Sequence, residues 1–265
     1  LTDFYQSHPR FSIALDGYVA AASRYSADGP WLNLDHHADV DRLATRATCS
    51  QVLMCIRQGL FDAFRDEDGP RAQVYVNDCD EDVCLSWFLL QNPQAGCLPS
   101  NTRLDRLIHA VDLLDTTAGA SVHPLDLPLA SEIAWIFEPF RLAKLQGVLD
   151  RPFASLHRLV IEAVGQRIRD YLADKGQALP LDTRYERIGG SKGWALVREI
   201  GGGAALRGNA GEALTVGIRR AALPVGARVV AIAIARPAAA ATGRVVLQNP
   251  KPGTRGSLGR NALEL

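Results

Sequence analysis

The sequence predicts an α/β protein: a mostly parallel sheet flanked by helices, with a smaller C-terminal α+β domain. Three observations predict it. Short apolar runs alternate with amphipathic helical stretches over roughly residues 10–120, the grammar of a parallel sheet with helices on its faces. A helical pattern without strands fills residues 127–180. From 185 onward the composition shifts to Gly, Ala and β-branched residues. The expected domains are therefore an α/β domain over 1–126, a helical connector over 127–180 and a β-rich domain over 181–265.

Phe11 to Leu15 reads as a short buried strand that stops at Asp16-Gly17, and residues 18–25 offer a helix start. Gly29-Pro30 marks a turn. Trp31 to Leu34 reads as a second strand, which delivers Asp35-His36-His37 at its carboxyl end. Thr48 or Ser50 suits the cap of a helix reaching about Phe64, with Val52, Leu53, Cys55, Ile56, Leu60 and Phe61 on its apolar side. After the turn Asp68-Gly69-Pro70, Ala72 to Val76 forms a third strand. It runs into Asp78-Cys79-Asp80-Glu81-Asp82, and Val83 to Leu90 continues as a helix. Residues 103–118 place Leu104, Leu107, Ile108, Val111 and Leu114 on one helical face. Ser131 suits a helix cap, Pro139 bends or breaks that helix, and Pro152 to Lys175 is amphipathic with Gly176 at its end. Trp194 to Ile200, Ala213 to Ile218 and Val229 to Ala235 read as strands.

The 265 residues with 47% hydrophobic content support a full core. Twenty-nine basic and twenty-nine acidic residues cancel, so the basic footprint of a long-duplex binder is missing. The five cysteines include no C-x-x-C pair and read as reduced, mostly buried thiols, not as a disulfide frame or zinc knuckle. No apolar run approaches the ~18 residues of a membrane span. Leu1-Thr2-Asp3-Phe4-Tyr5 does not read as a signal peptide, so a cytoplasmic setting is expected.

In open α/β sheets, ligands sit at the carboxyl ends of the strands. Asp16, Asp35 to His37 and Asp78 to Asp82 fall at three predicted strand ends, which argues for one shared site. Asp78, Asp80 and Asp82 alternate, so in an extended chain their carboxylates share one side and repel unless a cation intervenes. Hard ions such as Mg²⁺ or Mn²⁺ take such ligands. The competing reading is a solvated acidic loop that caps the next helix. An imidazole beside a carboxylate suits Mn²⁺, Fe²⁺ or Zn²⁺. His109 and His123 are weaker candidates, and His157, on an amphipathic helix, reads as structural. Cys79 and Cys84 lack a paired base and do not read as nucleophiles.

Asp35-His36-His37 resembles the motif that names the DHH phosphoesterase superfamily. Asp80-Glu81-Asp82 with Ser86 four residues on resembles that family's Asp-x-Asp signature, and Asp115-Thr116-Thr117 its later Asp-Thr element. In the family Asp-x-Asp comes before Asp-His-His; here it comes after, the arrangement of a permuted or divergent member. The resemblance implies two Mn²⁺ or Mg²⁺ ions held by Asp16, Asp35, His36, Asp80, Asp82 and Asp115. It makes His37 and Asp35 the catalytic residues, His37 as a phosphate contact or acid, and Ser86 the opening of a helix. It also implies a C-terminal substrate domain, in which Arg219, Arg220 and Arg255 are the expected phosphate-binding cations, with Gly201 to Gly203 and Lys251 to Ser257 as Gly-rich turns. The implied activity is metal-dependent hydrolysis of a phosphoester or phosphoanhydride bond in a small phosphorylated substrate or short oligonucleotide. The alternative is a non-catalytic nucleotide- or phosphate-binding regulatory protein. Long duplex DNA and membranes are not expected partners, and a homodimer is compatible with the pattern.

Overall fold

The computed structural model describes residues 1–41, 44–97, 101–116, 128–149 and 154–180, together with the backbone of strands at 185–191, 194–199, 228–234, 244–245 and 263–264. The elements run α1 (Thr2–Ser7), β1 (Ser12–Leu15), β2 (Arg24–Ser26), β3 (Trp31–Leu34), α2 (Thr48–Arg57), α3 (Leu60–Ala63), β4 (Arg65–Asp66), β5 (Gly69–Pro70), β6 (Gln73–Val76), α4 (Glu81–Gln91), α5 (Pro93–Cys97), α6 (Thr102–Thr116), α7 (Leu129–Ile136), α8 (Glu138–Leu145) and α9 (Ala154–Leu172). Strands β7 (Tyr185–Ser191), β8 (Trp194–Glu199), β9 (Arg228–Ile234), β10 (Arg244–Val245) and β11 (Leu263–Glu264) follow.

The first sheet is small, mixed and mostly parallel. β1 is central and pairs in parallel with both β3 and β6; β2 joins β3, and β11 joins β6, antiparallel. The two-residue period of the strands divides their side chains between two faces. Ile13, Leu15, Leu32, Leu34, Val74 and Val76 enter the main core, whereas Ala14, Tyr75 and Trp31 meet Phe4 and Tyr18 on the other face. Helix α1 lies on that second face, where Phe4 meets Tyr75 edge to face. Helices α2, α4 and α6 pack together on the main-core face, and α9 packs on α4. Ile133, Phe137, Val160 and Ile168 from the 128–180 helices belong to the same apolar core as Val52 and Leu85. A second sheet has the order β10-β9-β8-β7, with β8 and β9 parallel and its other pairs antiparallel.

Several elements differ from the sequence expectations. No helix forms over 18–25; β2 occupies the end of that stretch. Its carbonyls have other partners: the Asn33 side-chain amide donates to Ala21 O at 2.8 Å and Ala22 O at 3.3 Å. The helix expected to reach Phe64 stops at Arg57, because Gly59 takes φ +87° and α3 starts afresh. Neither Thr48 nor Ser50 caps α2; Ala47 holds the N-cap position without a side-chain bond. Ser131 lies inside α7, and Pro139 sits in the first turn of a separate helix, α8, where its missing N–H costs nothing. Helix α9 ends in a Schellman motif at Asp174 (φ +60°), not at Gly176: Lys175 N–H donates to Asp170 O at 2.8 Å and Asp174 N–H to Tyr171 O at 3.2 Å. The 213–218 strand lies outside the described residues.

Gly59→Ala is expected to cost about 1 kcal/mol, since a Cβ meets the left-handed backbone and the Asp62 carboxylate at 2.8 Å. A urea midpoint unchanged from the parent refutes this.

Candidate metal centre

The site begins with a backbone device. Strand β1 ends in a tight turn in which Asp16 (φ +50°) and Gly17 (φ +80°) are both left-handed, closed by Tyr18 N–H to Leu15 O at 3.0 Å. Asp is among the few residues that tolerate this region, and Gly needs no tolerance. Strand β3 runs beside β1 and delivers Asp35, His36 and His37 next to that turn. Asp35 is buried and folds back on its own chain: Oδ1 accepts from His37 N–H at 2.9 Å and Oδ2 from Ala38 N–H at 3.2 Å. Its main chain is tied to Ser23 Oγ at 3.0 Å. Asp35 is thus a turn-former that also touches His37 Nδ1 at 3.2 Å.

His36 is the hub. Its Nε2 lies 3.2 Å from Asp16 Oδ1, 3.6 Å from Asp82 Oδ2 and 2.8 Å from Asp115 Oδ2. Four elements therefore converge: the β1 turn, the β3 end, α4 and the C-terminal turn of α6. Neighbouring ligand atoms of an octahedral Mg²⁺-sized ion stand about 3 Å apart, given metal–oxygen distances near 2.1 Å. The observed separations bracket that edge. His36, Asp82 and Asp115 form one group of donors within 4.8 Å of one another, and Asp16, His36 and His37 form a second. The two share His36, which is the residue that joins them.

The electrostatics match. Burial pushes the His36 imidazole down, but the hydrogen bonds and charges of Asp115 and Asp16 outweigh it and raise its pKa to about 10. Burial, with the charges of Asp16 and Asp115, raises Asp82 to about 7. His37 is raised chiefly by its bond to Asp35. A proton on His36 holds the carboxylates together, which is the task a cation performs in a metal site.

Asp82 has a second role. Its Oδ2 accepts from Thr48 N–H at 2.7 Å and its Oδ1 from Cys49 N–H at 2.6 Å. Asp112 Oδ1 accepts from Ala47 N–H at 2.8 Å and pairs with Arg46. Carboxylates from α4 and α6 thus satisfy the orphan N–H groups at the start of α2 and complement its dipole. Thr48 Oγ1 donates to Asp16 Oδ1 at 3.1 Å, tying the cap to the donor cluster.

Asp80 takes the helix-capping role: it is the N-cap of α4 and accepts from Val83 N–H at 2.9 Å. It stands outside both donor groups, as does Asp35. Burial, then the charges of Asp16, Asp78, Asp82 and Glu81, raises its carboxyl well above the usual range. Ser86 is buried within α4 rather than at its start. His109 is exposed. His123, Gly201 to Gly203, Arg219, Arg220 and Lys251 to Ser257, including Arg255, lie outside the described residues. Burial raises the Cys49, Cys79 and Cys84 thiols, which keeps them protonated. Sequence reasoning missed Asp112 and Thr48. The signal for Asp112 was its place three residues before Asp115, on the same helical face.

A cavity of ≈ 700 Å³ lined by Ile56, Trp87, Leu90 and Pro93 lies at the far ends of α2 and α4. The eight residues from Asp82 to Leu90 put about 12 Å between it and the carboxylates. Comparison with family models, curated proteins and solved structures finds no match. Among the described residues, no helix is long and apolar enough to cross a membrane.

Proposed function

We propose that the chain is a divalent-metal-dependent hydrolase of a phosphoester or phosphoanhydride bond in a small phosphorylated or nucleotide substrate. The observation that carries this reading is the set of three carboxylates around His36 Nε2 at 2.8–3.6 Å, the ligand-to-ligand spacing of a hard octahedral ion. The residues fit Mn²⁺ or Mg²⁺, Mn²⁺ accepting the imidazole more readily. Asp16, His36, Asp82 and Asp115 would hold the metal, with Asp16 shared by a second ion beside His37. Bound ions of this kind supply Lewis acidity and a water ionised near neutral pH.

The chain's own contribution is placement. His37 is 42% exposed at the mouth of the cluster, and Asp35 fixes its ring. It faces incoming substrate as a cation that holds a phosphoryl oxygen or gives a proton to the leaving group. In the fuller form of the reading, residues 181–265 make a substrate domain in which Arg219, Arg220 and Arg255 grip phosphate, in a cytoplasmic protein. The test is a Mn²⁺-dependence screen over phosphomonoesters, pyrophosphate, cyclic dinucleotides and short RNA. Absence of turnover on every class, with metal bound, overturns it.

A second reading, a phosphate- or nucleotide-binding regulator without turnover, draws on one observation. Asp80 is committed to its cap, and both Asp82 oxygens are committed to α2 amides. Fewer free lone pairs favour one ion over two. Metal stoichiometry separates the readings: two equivalents with turnover, or one or none without it.

Metal binding should also depend on pH. Below about 10 the ion must displace the His36 proton, and below about 7 the Asp82 proton as well. Affinity therefore rises with pH, by about 100-fold or more from pH 6 to pH 8. At 100 times its Kd, Mn²⁺ should stabilise the fold by about 2.7 kcal/mol. A Mn²⁺-induced Tm shift equal at both pH values refutes the assignment of His36 as a ligand.

A further inference from the structure

A second group of donors lies at the β6–α4 corner, among residues that the centre above does not use. A carboxylate oxygen of Asp78, the sulfur of Cys79 and a ring nitrogen of His157 all lie within 4.8 Å of one another. Asp78 and Cys79 belong to the corner itself. His157 comes from the first turn of α9, about eighty residues later in the chain. Cys79 is fully buried and His157 is 4% exposed. Nδ1 of His157 is buried and has no hydrogen-bond partner among the described residues. A buried polar atom in that state costs on the order of 1–3 kcal/mol. The imidazole stands beside a thiol and a carboxylate, so its reading as merely structural leaves that cost without an explanation.

The surroundings are already fixed. Asp78 Oδ1 accepts from Cys79 N–H at 2.7 Å, and Cys84 Sγ donates to Cys79 O at 3.1 Å. The corner is held from both sides, and α9 packs on α4. The donors are thiol, imidazole and carboxylate, the set that suits Zn²⁺ and differs in softness from the carboxylate-rich centre around His36. In a tetrahedral zinc site such atoms stand roughly 3.3–3.8 Å apart, given bonds of about 2.0–2.3 Å. Closing from within 4.8 Å takes side-chain rotation of about 1 Å.

We propose that Asp78, Cys79 and His157 form a second cation site, which binds one Zn²⁺ with a water in the fourth position and pins α9 to the β6–α4 corner. On binding, the Cys79 thiol releases its proton to solvent and the sulfur bonds to zinc. His157 binds as neutral imidazole. One thiolate and one carboxylate then balance the ion's charge, which suits a site with two buried members. This site uses different atoms from the centre around His36, and it stands whether or not that centre hydrolyses anything.

The test uses the full chain with Cys97→Ser, which removes the exposed thiol. Stripped of metal and loaded with Co²⁺, it should show the near-ultraviolet thiolate-to-cobalt absorption at one equivalent, and Zn²⁺ should abolish it. Asp78→Asn and His157→Gln should each weaken Zn²⁺ binding by at least about 100-fold, the upper end of what losing an outer partner costs. Asp115→Asn should leave the band unchanged. Absence of the band in the Cys97→Ser chain overturns the proposal before any site variant is needed. A band that survives both site variants with unchanged affinity also overturns it. Asp78 lies in a loop, so Asp78→Asn keeps the test decisive if His157→Gln does not fold.

Discussion

Asp82→Ala is expected to destabilise the metal-free protein by about 2–4 kcal/mol at pH 6, the largest effect on stability of any change at the site. Two buried N–H groups, of Thr48 and Cys49, lose their acceptor together. Each orphaned buried donor costs about 1–3 kcal/mol. Relaxation of the α2 start and entry of water offset part of the sum. The alternative cap is weak, because Ala47 has no side-chain oxygen. Asp82→Asn should cost about half as much, since one amide oxygen replaces two acceptors.

The size of the effect should change with pH. Asp82 has a folded pKa of about 7, raised above its unfolded value by burial and by Asp16 and Asp115. A group raised in this way contributes its stabilising share below the unfolded pKa and loses it as pH climbs through the folded pKa. The parent therefore weakens between pH 6 and pH 8 through Asp82, and the alanine variant does not. The difference between them should shrink by about 1 kcal/mol over that interval, most of it in the unit below the folded value, because above that value the folded and unfolded states are both ionised. Denaturant titrations in chelator at the two pH values measure this. A destabilisation below about 0.5 kcal/mol at pH 6, or a penalty that grows with pH, refutes the dual role given to Asp82.

That dual role explains why the sequence was informative about some residues and silent about others. Asp16, His36 and Asp82 were legible because a strand end followed by a helix start is a local pattern, and local patterns survive in the sequence. Asp115 was found through resemblance, and its helical position brought it to the same place. The capping of α2 was not legible. It depends on contacts across 34 and 65 residues, from Asp82 to Thr48 and from Asp112 to Ala47. Nothing near Thr48 announces that its amide is satisfied from elsewhere. The helix expected over 18–25 failed for a related reason: Asn33, on a later strand, takes the carbonyls of Ala21 and Ala22. Asp80 illustrates the opposite case. The plain reading of an acidic residue before a helix, an N-cap, describes its geometry, while the ligand role, read from the alternating carboxylates and from resemblance, has Asp80 outside the donor groups around His36.

Asp115→Asn is expected to lower Mn²⁺-dependent hydrolysis by at least about 10³-fold while leaving the fold intact, a loss of roughly 4 kcal/mol of transition-state stabilisation. Its carboxylate makes the closest approach to His36, at 2.8 Å, so under the proposed function it would be the ligand that cannot be lost without moving the ion. Its own helix gives no reason for its presence. Asp112 and Asp115 both sit in the last turns of α6, where no basic residue accompanies them and the macrodipole disfavours negative charge. Asp112 repays that cost through Ala47 N–H and Arg46. The side chain of Asp115 is 31% exposed, and it pairs with His36. A residue that breaks a local rule at a convergence of four elements is placed there for the site. Removing its charge relieves the helix end, and the asparagine oxygen still accepts from His36 Nε2–H, so the net loss of stability should stay below about 3 kcal/mol. The measurement pairs turnover of a generic phosphodiester in saturating Mn²⁺ with a urea titration of the same sample. Activity within tenfold of the parent sinks the ligand assignment. A stability loss above about 3 kcal/mol would instead make Asp115 a structural partner of His36, and the carboxylate cluster a proton-held brace rather than a metal centre.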